Sequence, residues 1–252
     1  MFSYENQVAI VTGSGSKRGI GRSTAIALSR LGAIVVVADL NEEGVRETVT
    51  AIESENGKAL GIILNVTDEG SVQKMVDLVL NTYGRIDVLI NNAGISQRLG
   101  VEDMKVEDLK KIFKVNIIGV FLCSKAVLTP MKKQKYGRIV SVSSVAGKRG
   151  GGFFGGAHYS ASKAAVLGFS KNLAREVAKE GITVNCVAPG LVNTDIWESL
   201  PKDVADDIVA TIPMGRPGET NEVASTIAFL ASKEASYITG EDIDINGGSH
   251  MD

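Results

Sequence analysis

Short apolar runs rich in β-branched residues alternate along the chain with longer segments of helical spacing, and this alternation leaves few folds open. Residues 7–11, 34–38, 59–64, 87–90, 138–142, 183–187 and 241–245 read as strands. Most are continuously apolar rather than alternating, as expected of strands covered on both faces. Residues 21–31, 42–55, 69–82, 106–133, 160–179 and 219–232 read as helices. Asn41 and Asp68 stand where a side chain caps a helix start, and Gly84 stands where a helix ends. Strand–helix–strand units at this spacing give right-handed crossovers. The expected fold is therefore α/β, a doubly wound sheet of seven mostly parallel strands with helices on both faces. With no linker, repeat or low-complexity tract, residues 1–252 read as a single domain. The rhythm fails only over residues 191–217, which hold Trp197, Pro201, Pro213 and Pro217. A connection this long inside a compact domain usually serves a function, often as a lid.

At 252 residues the chain can bury a substantial core without disulfides. A net charge of -2 offers no basic surface for nucleic acid or anionic lipid. Cys123 and Cys186 lie in apolar stretches without redox or metal spacing and read as buried thiols. His158 reads as a partly exposed, non-catalytic histidine, and His250 lacks metal-spaced partners, so no metal site is expected. The start of the chain is polar, with no apolar signal core, and no apolar run approaches the ~20 residues of a membrane span. A cytoplasmic location with no membrane partner is the resulting expectation.

The first strand runs into Thr12-Gly13-Ser14-Gly15-Ser16-Lys17-Arg18-Gly19-Ile20-Gly21, and a helix follows. Glycines allow a tight turn and a close backbone approach to a pyrophosphate, while the helix start offers unpaired N–H groups to the anion. Asp39 ends the second strand, near the ~20-residue offset of an acid that bonds the adenosine ribose. A carboxylate there repels a 2′-phosphate, which favours NAD(H). Lys17 and Arg18 pull toward NADP(H), and Asp39 is given the greater weight.

Tyr159-Ser160-Ala161-Ser162-Lys163 places a phenol and an ammonium one helical turn apart. A neighbouring ammonium favours phenolate and lowers the phenol from its free value of ~10, toward the range of a general acid/base. Ser144 ends the strand before, Asn91-Asn92-Ala93-Gly94 follows the fourth strand, and Asn116 sits unusually in mid-helix. Together with the glycine turn, these motifs resemble the short-chain dehydrogenase/reductase (SDR) family over essentially the whole chain. The resemblance implies a Rossmann-like fold. It matches Gly13, Gly19 and Gly21, with Ile20, to the pyrophosphate turn, and Asn92 and Gly94 to the turn beside the cofactor ribose. Asn65 and Val66 match the adenine side, where the family usually has Asp-Val. Pro189-Gly190-Leu191-Val192-Asn193-Thr194 resembles the segment beside the nicotinamide.

The resemblance also implies a catalytic set of Asn116, Ser144, Tyr159 and Lys163. Ser144 would fix the substrate oxygen and Tyr159 would exchange the proton. Lys163 would hold the cofactor ribose and stabilise the phenolate, and Asn116 would hold a water leading from Lys163 to solvent. Residues 191–217 correspond to the substrate loop. Ser14 to Arg18 make the glycine turn two residues longer than the usual form, and residues 150–156 lengthen the Ser144–Tyr159 connection, bringing in Phe153 and Phe154.

The leading expectation is an NAD(H)-dependent oxidoreductase interconverting a secondary alcohol and a ketone on a small polar metabolite: a polyol, sugar acid or hydroxy acid. The alternative is an NADPH-dependent 3-oxoacyl-thioester reductase acting on a carrier-protein or coenzyme A thioester. A non-catalytic dinucleotide-binding module is the distant third. Arg98, Lys148 and Arg149 stand near the expected site rim as cations for an anionic substrate. The resemblance further implies a homotetramer, with the helices holding Asn116 and Tyr159 pairing at one interface and residues 237–252 at another.

Overall fold

The computed structural model describes residues 2–151, 155–195 and 202–251. All seven expected strands form: β1 (Val8–Thr12), β2 (Ile34–Asp39), β3 (Lys58–Ile63), β4 (Val88–Asn91), β5 (Gly137–Val142), β6 (Ile182–Pro189) and β7 (Asp242–Ile245). They make one sheet in the order β3-β2-β1-β4-β5-β6-β7, with every pairing parallel. β1, β4, β5 and β6 are buried at every position, which accounts for their mostly apolar residues.

Side chains alternate across a strand, so each strand feeds two cores. Ala9, Val11, Val35 and Val37 pack on one face with Ala25 and Leu28 of α1 (Ile20–Arg30), Ile52 of α2 (Glu42–Ser54), and Val223 and Ile227 of a later helix, Thr220–Leu230. Val8, Ile10, Val36 and Ala38 pack on the other face with Met75 and Val79 of α3 (Glu69–Tyr83) and with further helices at 119–134 and 157–177. Asn41 and Asp68 cap α2 and α3, their side chains accepting from Gly44 N and Ser71 N, and Gly84 ends α3 at φ 73°.

The expected helix over 106–133 contains a break in regularity. It runs as α4 (Val106–Phe113), a π-helical turn (Lys114–Ile118) and α5 (Gly119–Gln134). By length and composition this segment passes for a membrane span; here Ile112, Cys123, Val127 and Met131 are buried within the protein. α6 (Val145–Arg149), a five-residue helix between β5 and α7 (Ala157–Val177), was not expected. A second unanticipated helix, α8 (Lys202–Ala210), lies inside the stretch read as irregular, ahead of α9 (Thr220–Leu230). Phe153, Phe154, Trp197 and Pro201 lie outside the described residues.

β1 pairs with β2 on one side and β4 on the other, and the chain order reverses there. The loops leaving the carboxyl ends of those two strands diverge, and the crevice between them is where a doubly wound sheet receives a ligand.

Candidate active site

The glycine turn and the Asn91-Asn92-Ala93-Gly94 turn are built against each other at that crevice. Thr12 Oγ1 accepts from both Asn92 N and Ala93 N at 3.1 Å. The Asn92 amide donates to Thr12 O (3.0 Å) and Gly13 O (2.8 Å). Gly13 has φ +66°, and a Cβ there would stand 2.6 Å from Ala93 Cα. Gly21 is equally confined, since its Cβ would meet Gly13 O at 2.3 Å. Gly19 is the N-cap of α1 and supplies no side-chain cap. The first-turn N–H groups therefore keep their capacity for an anion.

A cavity of about 460 Å³ opens from this turn along the carboxyl edge of the sheet. Gly13, Gly19, Ile20 and Asp39 line it at one end, Val66, Asn92 and Gly94 along its side, and Ser144, Tyr159 and Lys163 at the other end. Pro189, Gly190, Val192 and Thr194 complete that second end. Leu40, Leu64 and Val66 give an apolar wall suited to a base, so the residues present fit a dinucleotide.

Three expected site residues stand behind the lining. Gly21 is the packing contact just described. Asn65 closes an Asx turn, its Oδ1 accepting from Thr67 N (3.0 Å) and Thr67 Oγ1 (2.9 Å). Asn116 lies in the π turn, fully buried. Its amide clamps Ile95, donating to Ile95 O and accepting from Ile95 N, both at 2.9 Å, and also donates to Ser162 Oγ. Gly94 fits between Asn116 and Lys163: a Cβ there would lie 3.3 Å from Asn116 Oδ1 and 3.4 Å from Lys163 Nζ.

Ser144 leaves β5 and caps α6, its Oγ accepting from Ala146 N at 3.1 Å. Its hydroxyl also donates to Pro189 O at 3.5 Å, and it stands near enough to the Tyr159 phenol to favour the charged form. Lys163 Nζ lies 5.8 Å from the Tyr159 ring centre and donates to Val142 O at 2.8 Å. Gly155 faces the Tyr159 ring so closely that a Cβ would stand 2.2 Å from it.

Burial dominates the electrostatics here. It pushes the Tyr159 phenol up, against the opposing effect of nearby Ser144. It also pushes the Lys163 ammonium down to about 8. The lowering of Tyr159 anticipated from Lys163 is absent: burial sets the direction, Ser144 alone opposes it, and the phenol is held in its proton-bearing form. Lys163 carries a linkage consequence. Its folded pKa lies below its unfolded value of ~10.4, so the unfolded chain binds more protons between those values, and stability gains from Lys163 as pH rises from about 8 toward 10. Chemical denaturation across that range should show this upward slope in the wild type and a flatter one in Lys163→Met. Equal slopes would mean that Lys163 is not desolvated.

Some contacts gave no signal in sequence. The lengthened glycine turn reaches both walls of the crevice: Ser16 Oγ donates to Asp195 Oδ2 (2.9 Å), and Arg18 Nη2 donates to Asn193 Oδ1 (3.2 Å). On the other side, Asp39 Oδ2 accepts from Gly15 N (2.8 Å) and Asp39 Oδ1 from Asn41 N (3.0 Å). Only the unusual length of the turn hinted at either set. Cys123 and Cys186 are buried, with burial pushing their thiols up to about 12 and about 11. No cluster of metal-ligating side chains occurs among the described residues.

A glycine turn at the switch point, with Ser144, Tyr159 and Lys163 across the cavity, defines a dinucleotide-dependent oxidoreductase. A family model described as enoyl-(acyl carrier protein) reductase matches residues 13–250. The chain belongs to the short-chain dehydrogenase/reductase family, whose members act on CH–OH groups with NAD or NADP as acceptor. It is 44% identical over 249 residues to the 3-oxoacyl-(acyl-carrier-protein) reductase FabG of Escherichia coli K12, covering 99% of each chain. It is likewise 44% identical over 253 residues to the 3-oxoacyl-(acyl-carrier-protein) reductase of Synechocystis, covering 100% of each. With FabG of Thermotoga maritima it shares 43% over 244 residues, 97% of this chain and 98% of that one.

These comparisons correct two expectations. The small polar metabolite — polyol, sugar acid or hydroxy acid — gives way to the 3-oxoacyl thioester alternative, because full-length relatives carry that name. The preference for NAD(H) over NADP(H) falls with it, since NADPH was the cofactor tied to the thioester reading. The physical reason is visible at Asp39. The preference for NAD(H) rested on an Asp39 carboxylate facing only the ribose, whereas its Oδ2 accepts from Gly15 N of the lengthened turn and its Oδ1 from Asn41 N at the start of α2.

Proposed function

We propose that this chain reduces the 3-keto group of an acyl thioester carried on acyl carrier protein, using NADPH. The observation that carries the reading is Ser144, Tyr159 and Lys163 lining one end of a dinucleotide-shaped cavity, in a chain that matches 3-oxoacyl reductases end to end. The nicotinamide, when bound, supplies the hydride. Two hydroxyls side by side suit a ketone oxygen: Ser144 donates a hydrogen bond that fixes it, and Tyr159 donates the proton. A phenol held in its protonated form by burial is ready for the reductive direction. Lys163, anchored on Val142 O, holds a positive charge behind Tyr159 that offsets phenolate as the proton leaves. Residues 191–217 act as the substrate loop. The whole chain works as one catalytic domain in the cytoplasm.

Purified protein should oxidise NADPH when given acetoacetyl thioesters of acyl carrier protein or pantetheine, and run at least about tenfold slower with NADH. Turnover confined to polyols or hydroxy acids with NAD+ would reject the reading. Exposed Val106, Leu109, Ile118 and Phe121 on the 106–134 segment support self-association as a homotetramer, for which sizing chromatography should return four times the 26.6 kDa chain mass. A monomer would exclude it.

A further inference from the structure

Lys148 and Arg149 read from sequence as cations at the site rim, but Lys148 turns inward. Its side chain is only 8% exposed, and its Nζ lies 2.8 Å from Asp242 Oδ2 and 2.8 Å from Asp244 Oδ2 on β7. Asp242 Oδ1 also accepts Lys171 Nζ of α7 at 2.8 Å. Two ammonium groups and two carboxylates thus join α6, α7 and β7 in a cluster of zero net charge. Burial pushes Asp242 up, but the hydrogen bonds from Lys148 and Lys171 outweigh it and leave its carboxyl below the usual range. The neighbouring Arg149 is tied as well, its guanidinium donating to Ser249 O.

Buried ion clusters are poor devices for stability, because desolvation consumes most of the Coulomb gain. What the arrangement does offer is a fixed anchor: Lys148 and Asp242 are 8% and 11% exposed, and one desolvated ammonium bonded to two carboxylates at 2.8 Å has little room to move, although Lys171 at the rim is 55% exposed. The element fixed here is α6, which has five residues and too few internal hydrogen bonds to hold itself. Its first end is Ser144. Lys148 follows one helical turn later, about 6 Å along the axis. Between them, Gly147 packs directly on α7, where a Cβ would come within 2.7 Å of Ala164 N and of Lys163 C.

We propose that Lys148, clamped between Asp242 and Asp244, is a positioning residue that sets Ser144 against the substrate oxygen by pinning α6 to the edge strand of the sheet. The inference rests on the reductase reading, and it extends it: a cation expected to meet substrate instead acts through the serine four residues before it. A hydroxyl misplaced by about 1 Å loses up to about a hundredfold in rate.

The test is a double-mutant cycle in the full chain with NADPH and a 3-oxoacyl thioester. Lys148→Met should lower kcat by about tenfold to a hundredfold, with KM within about threefold and NADPH affinity unchanged. In a Ser144→Ala background the same substitution should cost nothing further, because the group it positions is gone. Lys148→Arg, which keeps both carboxylate contacts, should restore most of the rate. Independent losses that multiply, or an unchanged kcat in Lys148→Met, would overturn the proposal. If Lys148→Met does not fold, Asp244→Asn loosens the clamp more gently, and its smaller loss must also vanish in the Ser144→Ala background. NMR titration of 13C-labelled tyrosine reads the same coupling without turnover: Tyr159 should titrate higher in Lys148→Met, as in Ser144→Ala. An unmoved Tyr159 overturns the inference. A wild type inert toward thioesters overturns the reductase reading instead and leaves the NMR arm to decide.

Discussion

Tyr159→Phe should lower kcat for thioester reduction by about a hundredfold to ten-thousandfold, the span that a positioned proton donor contributes. NADPH affinity should stay within about threefold, because the ring that packs against Gly155 is kept and only the hydroxyl goes. Ser144 keeps its contacts with Ala146 N and Pro189 O, so the local backbone has no cause to move. Fluorescence titration of NADPH and steady-state rates measured on one preparation separate the two effects. A variant retaining a tenth or more of the wild-type rate would place the proton donor elsewhere. Loss of cofactor binding would instead make Tyr159 part of the cavity's construction rather than its chemistry.

Gly21→Ala should be the most damaging small change in the nucleotide half of the site. The added methyl falls 2.3 Å from Gly13 O and 2.5 Å from Asn92 Nδ2, and both groups belong to the hydrogen-bonded frame of the glycine turn. Either α1 lifts from the sheet or the turn opens, at about 1–3 kcal/mol. The N–H groups that would face the pyrophosphate move with it, so NADPH affinity should fall about a hundredfold. Gly168→Ala is the natural control. It lies within α7, exposed, with nothing within 4 Å of the added carbon. That change should raise stability by up to about 1 kcal/mol, as alanine does in an open helix. Thermal melts and NADPH titrations of the pair give the answer, and equal behaviour of the two variants would mean that the close approach at Gly21 is not a constraint.

The sheet was legible because its central strands are covered on both faces, and unbroken runs such as Val35–Ala38 admit little else. The caps at Asn41 and Asp68 were legible because they are local chemistry. The π turn was not: 106–134 has continuous helical spacing, and one residue of slippage leaves no mark in an apolar pattern. α6 is shorter than any periodicity can register. Asp39 stood at the right offset for a ribose, but a sequence does not tell whether a carboxylate is left for a ligand or used by a backbone that returns to it, as Gly15 does. Tyr159 shows the same limit. The Tyr–Lys spacing was visible, whereas the burial that sets the sign of its shift is a sum over distant elements. Lys148 looked like a rim cation because β7, which holds both of its partners, lies near the far end of the chain.

The turn at Lys114–Ile118 has a consequence for how this protein can change. A π turn winds one residue more into its circuit than an α turn, so losing any one of the four positions beside Asn116 would let the rod rewind as plain α-helix. The rewound rod would carry its buried amide about 100° around the axis, away from Ile95. A chain shortened there would lose the two hydrogen bonds that brace Ile95 at the wall of the reaction chamber, while the flanking helices could keep their places.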